Sequence, residues 1–342
     1  MNKVTIEIDA DIDDTFIKNE SEWMSKIIDS AHKFDVVEIR MKEGAALEEI
    51  GYKGKKLLEI LSDVCLKNNW PLTKFSFRVV NLVQNTDVWP NITAYGYPIH
   101  FLCLQKSTLQ SQKQITKKFG MFVGRSSWER LALSSYLFNR HSSNTIQTYR
   151  NYLDKPESML HIDLDRLLWQ LSCSAKIKKN FLNDLFNFIS HLPLLQSDTY
   201  QGVTHLQWDE GATDKEILGW YDKIFCDVVC EKMITGQAFF PTEKTARPLI
   251  TKTPFLMMAS PNHIKNLRKI GFKSFSQFWD ESYDYQQGIQ RIEAIQKIID
   301  DLAKLKHNEL DDLYRQMLPI LEHNHKTYKE ITSSKLQSIF AI

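Results

Sequence analysis

The run Ile224 to Cys230, closed by Glu231, then Phe240-Pro241-Thr242-Glu243-Lys244-Thr245-Ala246-Arg247-Pro248, then Pro254-Phe255-Leu256-Met257-Met258-Ala259, decides the fold. Two short, bounded apolar runs flank a polar start that suits a helix, so the stretch predicts strand, helix, strand. Gly236 marks the loop after the first strand. Beyond Ala259, Asn262 to Ile270 predicts another helix stopped by Gly271, and Phe272-Lys273-Ser274-Phe275 a short final strand. This is the pattern of half a doubly wound sheet.

Upstream, Phe119 to Val123 predicts a buried strand, followed by the small turn Gly124-Arg125-Ser126-Ser127 and a helix through Trp128, Leu131, Leu133, Tyr136 and Leu137. The first hundred residues alternate in the same way. Val4 to Ile8, Val36 to Arg40 and Phe75 to Val80 read as strands, with helices over Glu22 to Lys33 and Lys55 to Asn68 between them. Strands alternating with helices of this length predict an α/β protein built of βαβ units. The polar stretch after the apolar run Ile99 to Leu104 sets a boundary: an N-terminal α/β domain over 1–112, a second over 113–287, and C-terminal helices over 288–342, where Ile289, Ile292, Ile295 and Ile299 repeat with helical spacing. In the middle, Leu164 to Ser172 and Lys178 to His191 predict helices.

At 342 residues the chain exceeds what one hydrophobic core usually supports, which fits two domains and the cleft between them. Its 43 Lys and Arg nearly cancel its 42 Asp and Glu, so an overall electrostatic attraction to nucleic acid or to an anionic membrane is excluded as the organising principle. The five cysteines, Cys65, Cys103, Cys173, Cys226 and Cys230, are odd in number and scattered, an arrangement expected of reduced thiols in the cytoplasm. The acidic stretch Asp9 to Asp14 does not resemble a secretory leader, and no segment reaches the length of apolar residues that spans a bilayer. P-loop, dinucleotide, nucleophile-elbow and zinc-protease motifs are missing from the sequence.

Ligands of open α/β sheets bind beyond the carboxyl ends of the strands. Glu231 ends one such strand, and Thr242 is placed to cap the helix that follows, turning its first N–H groups and its partial positive charge toward an anion. Lys244 adds a full charge, and Glu243 can accept hydrogen bonds from ribose or sugar hydroxyls. A well-capped helix start with no ligand explains Thr242, Glu243 and Lys244 equally well. Arg125 and Arg130, around the Ser126-Ser127 turn, favour the phosphate site, because the planar guanidinium suits phosphate oxygens.

These segments carry a resemblance. Phe240 to Leu249 followed by Thr253-Pro254-Phe255-Leu256, together with Phe122-Val123-Gly124-Arg125-Ser126-Ser127-Trp128-Glu129-Arg130, resembles the donor-binding signature of fucosyltransferase-like enzymes. Leu267 to Phe275 and Trp279 to Asp284 are similar to the ending of glycosyltransferase-like proteins from large viruses and bacteria. The resemblance covers about residues 119 to 300. It implies the two-domain GT-B arrangement, with an acceptor-side first domain and a donor domain after it. It further implies inverting, metal-independent transfer from a nucleoside-diphosphate sugar to a glycan or glycoconjugate hydroxyl, without a further cofactor. Arg130 and Lys244 would then hold the diphosphate and Glu243 the ribose or donor sugar.

For the base, Asp11 and Asp13 follow the first strand, and the same pair forms a DxD triplet, the spacing by which many GT-A glycosyltransferases hold a metal. His161, Asp163 and Asp165 read as a helix start with Asp163 as its cap, His323 and His325 as exposed helix-end residues, and Asp280, Glu281 and Asp284 as either a pocket wall or an acidic helix entrance. Two other classes stay open: a non-catalytic glycan- or protein-binding module on the same fold, and a nucleic-acid-associated protein using Lys106, Lys113, Lys117, Lys118 and Arg125.

Overall fold

In a computed structural model, residues 2–8, 20–41, 51–52, 55–83, 87–94, 99–106, 113–124, 126–149, 160–173, 179–194 and 219–340 are described. The chain forms an α/β structure with two parallel sheets. In the first, β1 (Lys3–Ile8), β2 (Val36–Met41), β5 (Phe75–Val79) and β6 (Ile92–Ala94) lie side by side in chain order, all parallel. A two-stranded antiparallel pair, β3 (Gly51–Tyr52) and β4 (Lys55–Lys56), stands apart. Steps taken in one direction with right-handed crossovers put the connecting helices on one face. Accordingly α1 (Glu20–Lys33) and α2 (Leu57–Lys67) share one core with the strands, through Met24, Ile27, Leu57, Leu61, Val37 and Ile39. The other face shows in β2 as strict alternation, Val37, Ile39 and Met41 buried and Val36, Glu38 and Arg40 only partly so.

After the short helix α3 (Ile99–Leu102) the second sheet begins. Its strands β7 (Lys117–Val123), β8 (Thr145–Tyr149), β9 (Ile224–Cys230) and β10 (Phe255–Met258) are all parallel but ordered β8-β7-β9-β10. The chain thus steps one way from β7 to β8 and the other way to β9, and this reversal sends the helices to both faces. One set is α4 (Trp128–His141) with α5 (Leu160–Cys173), α6 (Lys179–Ile189) and α9 (Gly288–Lys304), each of which touches α4; the other is α7 (Glu243–Ile250), which touches α3 and α10 (His307–Glu330). With both faces covered, every residue of β9 and β10 is buried, which explains their unbroken apolar character. The helices α8 (His263–Lys269) and α11 (Ser333–Ile339) complete the described chain.

Two expectations are corrected. Phe272 to Phe275 is not a strand: its two phenylalanines are buried three residues apart, a spacing that does not alternate, and Asn324 of α10 satisfies the backbone between them, accepting from the Lys273 N–H at 2.7 Å and donating to the Lys273 carbonyl at 2.8 Å. A side-chain amide takes the place of a neighbouring strand. The helix expected from Leu164 starts at Leu160, so Asp163 lies inside its first turn and is not the cap.

The two sheets meet at their carboxyl edges. Beyond β5 the chain pairs with the loop that leaves β9: Leu82 N–H donates to the Phe239 carbonyl and Phe239 N–H to the Val83 carbonyl, both at 2.9 Å. Val80, Met233, Ala238 and Phe240 form a separate small core at this joint. Phe101 and Leu104, on the N-terminal side of residue 112, are buried in the core of the second sheet. Tyr328 of α10 fixes that segment, its hydroxyl donating to the Phe101 carbonyl at 2.7 Å and accepting from the Leu104 N–H at 3.2 Å.

Candidate functional site

The segment between β9 and α7 is organised by one carboxylate. Glu231, fully buried, accepts from Thr242 N–H at 2.9 Å, Thr245 N–H at 3.1 Å, the Thr245 hydroxyl at 2.5 Å, the Thr242 hydroxyl at 2.6 Å and its neighbour Lys232 N–H at 3.2 Å. Thr242 is the N-cap, as its extended backbone and the bond from Lys244 N–H to its hydroxyl oxygen require. The positive end of α7 is therefore met by the protein's own anion, and Glu231 and Thr242 are turned toward each other. Glu243 and Lys244, next along the chain, keep part of their side chains at the surface.

Lys244 Nζ lies 2.6 Å from Glu243 Oε1. Burial would push the Glu243 carboxyl up, but Lys244 and Arg247 outweigh it and hold it down at about 2. Lys244 and Arg247 also border a hollow lined by Phe122, Tyr221, Asp227 and Cys230. In its wall, Asp227 accepts from the Tyr221 hydroxyl at 2.5 Å. Burial raises the Asp227 carboxyl to about 7, against the opposing pull of the Tyr221 hydroxyl, Arg247 and Lys113.

From the other face of the sheet comes Arg130. Ser127 caps α4, its hydroxyl oxygen accepting from Arg130 N–H, and this turn carries the guanidinium to the end of β9, where Nη2 donates to the Glu231 carbonyl at 2.8 Å and lies 3.4 Å from that of Cys230. Arg130, Glu231, Thr242, Glu243 and Lys244 thus lie around one strand end. Arg130 is only 6% exposed and holds the strand end itself. Arg125, Asp11 and Asp13 lie outside the described residues; β1, which precedes the two aspartates, ends at Ile8 on the carboxyl edge of the first sheet.

A buried group that composition and motif do not single out lies behind this strand end. Asp284 accepts from Ile264 N–H and Lys265 N–H, each at 3.0 Å, and so caps α8. Arg291, fully buried, donates from Nη2 to the Met257 carbonyl at 2.9 Å and stands 3.5 Å from Asp284. His263 places Nε2 at 3.4 Å from the Thr245 hydroxyl oxygen. Of this group the sequence marked Asp284 as a candidate acid; the signal for its buried partner is Arg291 itself, a charge next to Ile292 on the apolar face of a strongly periodic helix. The neighbouring acids are acceptors within the fold: Glu281 for Phe275 N–H and Asp280 for Ser282.

The basic run is drawn inward. Lys113 bonds the Tyr221 and Ile224 carbonyls and the Thr253 hydroxyl, Lys117 the Ser143 carbonyl, and Lys118 the Ala303 and Leu305 carbonyls. Burial pulls the Lys113 ammonium down to about 7, although Asp222 and Asp227 pull it up. His323 and His325 each meet a backbone carbonyl, of Gly271 and Ile250. Among the described residues no cluster of three His, Cys, Asp or Glu has the geometry to hold a metal ion, and no helix is long and apolar enough to cross a membrane. Comparison with protein-family models, curated proteins and solved structures finds no match to this chain.

Proposed function

We propose that this chain is a glycosyltransferase of the GT-B type that moves a sugar from a nucleoside diphosphate to an acceptor hydroxyl. The observation that carries the reading is the joint: the segments that leave the carboxyl ends of β5 and β9 pair with each other and share a small core, and the second of them leads directly into Glu243 and Lys244. A reversal of strand order at β7 and β9 adds the crevice in which such sheets take ligands. Because Glu231 occupies the amides of α7, the donor phosphates are assigned to side chains, with Lys244 as their direct partner and Arg130 supporting the strand end from behind.

In the reaction the acceptor oxygen attacks the anomeric carbon as the bond to the diphosphate breaks. The charge that develops on the departing diphosphate is balanced by Lys244. The acceptor proton passes to a carboxylate of the first unit, for which Asp11 and Asp13 are the candidates. Glu243, held ionised, accepts from ribose or sugar hydroxyls. A single displacement inverts the anomeric centre. No step calls for a metal or a further cofactor, and the cytoplasm supplies nucleotide sugars.

A thermal-shift panel of UDP, GDP, ADP and CDP tests the reading. Ligand at a hundredfold excess over Kd stabilises by about 2.7 kcal/mol. One or more of the four should raise Tm in the wild type, and Lys244→Ala should abolish the shift while leaving the ligand-free Tm nearly unchanged. No shift with any nucleotide sinks the proposal. A nucleotide-sugar hydrolysis screen then names the donor, and binding without turnover of any sugar nucleotide identifies a non-catalytic module instead.

A further inference from the structure

His263 is a buried imidazole to which the proposed reaction gives no part. Its surroundings are fixed from behind. Asn262 adopts a left-handed backbone (φ 65°), its N–H bonded to the Asp284 carbonyl at 2.8 Å and the His263 N–H to the Ser260 carbonyl at 3.2 Å, while the Asp284 carboxylate holds the Ile264 and Lys265 amides and Arg291 ties that group to β10. The first turn of α8 therefore has little freedom to rotate the ring.

The imidazole touches both ends of the segment that carries the candidate site. On one side its Nε2 lies 3.4 Å from the Thr245 hydroxyl oxygen. That hydroxyl is 2.5 Å from Glu231 Oε1, and an ionised carboxylate only accepts, so the Thr245 proton points to Glu231. The Thr245 oxygen must then accept from His263, which assigns the proton to Nε2. On the other side the ring meets Phe239 edge-on, centroids 4.9 Å apart at 68°. Phe239 is the residue paired with Val83 at the joint between the sheets. Between these two contacts lie Phe240, Pro241, Thr242, Glu243 and Lys244.

We propose that His263 is a positioning residue for the Glu243–Lys244 site, acting through Thr245 and Phe239 to hold the segment between them in one arrangement. Its functional half rests on the anion-binding reading above; its structural half does not.

Hydrogen exchange followed by mass spectrometry on the ligand-free protein tests the structural half. His263→Leu removes the donor and should raise exchange in a peptide covering Phe239 to Thr245 by about tenfold, leaving Ile224–Cys230 of β9 unchanged, while His263→Gln, which offers an amide N–H, should return it to within about threefold of the wild type. Thr245→Val removes the hydroxyl that meets both Glu231 and His263 and should give a rise at least as large, so His263→Gln is the variant that isolates the imidazole, and its return to near wild type is the test where His263→Leu does not fold. Unchanged exchange around Thr242 in the soluble variants, or an equal rise in β9, overturns the proposal. For the functional half, affinity is read by calorimetry with whichever of UDP, GDP, ADP or CDP the wild type binds best. A loss of about tenfold in His263→Leu, restored to within about threefold in His263→Gln, supports it; wild-type affinity in His263→Leu overturns it. If the wild type binds none of the four, the glycosyltransferase reading falls, and the exchange pattern still decides what His263 does.

Discussion

Two carboxylates, Glu38 and Glu231, show how differently the two sheets use charge. Glu38 stands on the polar face of β2, accepting from Lys3 at 2.7 Å and Thr5 at 3.2 Å, with Arg40 at 3.8 Å. Its main partner, Lys3, is half exposed. Glu231 ends a strand buried on both faces, and four of its five donors come from two threonines on the far side of a loop. On the first sheet charge decorates a surface. On the second it is structural cement at the strand ends, where it fixes the start of the helix that carries Glu243 and Lys244. Perturbed, buried titratable groups, Asp227, His263 and Glu243 among them, gather around the same region, as functional sites tend to arrange.

The strongest way to break this contrast is to remove Glu231. Glu231→Ala leaves two buried amides and two buried hydroxyls without their acceptor, and the expected loss is about 3–5 kcal/mol of unfolding free energy. Urea denaturation measures it as a lower midpoint. Glu231→Gln should lie between, because its amide nitrogen presents donors where Glu231 presents an acceptor. A loss in Glu231→Ala below about 1 kcal/mol, the level of a surface pair, would erase the distinction between the sheets.

Acid separates the two regions by pH window. Burial holds the His263 imidazole down at about 4, although Glu231 and Asp284 pull it upward. An unfolded histidine takes its proton near pH 6.5, so between about 6.5 and 4 the unfolded chain binds more protons than the folded one, and stability falls as pH drops through that window by on the order of 3 kcal/mol in all. Glu38 acts lower. Burial pushes its carboxyl up, but Lys3, Thr5 and Arg40 together bring it below the ordinary value, so its contribution is complete at neutral pH and is lost only as pH falls below the normal glutamate range. Urea midpoints at pH 7, 6 and 5 should drop more steeply in the wild type than in His263→Gln. Parallel slopes would assign the acid sensitivity to other groups.

What the sequence made legible follows from local rules. The buried strands β9 and β10 announce themselves as unbroken apolar runs, Thr242 as a cap by its chemistry, and Ser127 with Arg130 by spacing. Phe272 to Phe275 misled because apolar residues bounding a short segment report burial and say nothing of what bonds the backbone; that partner, Asn324, is 51 residues from Lys273 in the chain. Glu231 was legible as the end of a strand but not as the acceptor of Thr242 and Thr245, since their meeting depends on how the loop through Gly236 closes and on its pairing with Val83. His263 and Arg291 were hidden for a related reason: only the docking of α8 against the Ser282–Tyr285 turn and of α9 against β10 decides that they are buried. Lys113 sits in a run that read only as basic, yet three acceptors converge on it beside the second sheet.

The smallest effect completes the comparison. Glu38→Ala removes an acid whose partners can turn to water: Lys3 is half exposed, and Arg40 retains Glu7 at 3.2 Å. Side-chain entropy recovered by Lys3 offsets much of the lost attraction, so the expected cost is about 0.5–1 kcal/mol and should shrink further as salt is raised. Measured by urea midpoint at low and high salt, a loss near that of Glu231→Ala would mean that this face of β2 is covered and that Glu38 is an interior acceptor too. A small, salt-sensitive loss keeps the first sheet as a one-sided support, whose inner face builds a core and whose strand ends, at Val80 and Val83, lean on the loop that carries the site.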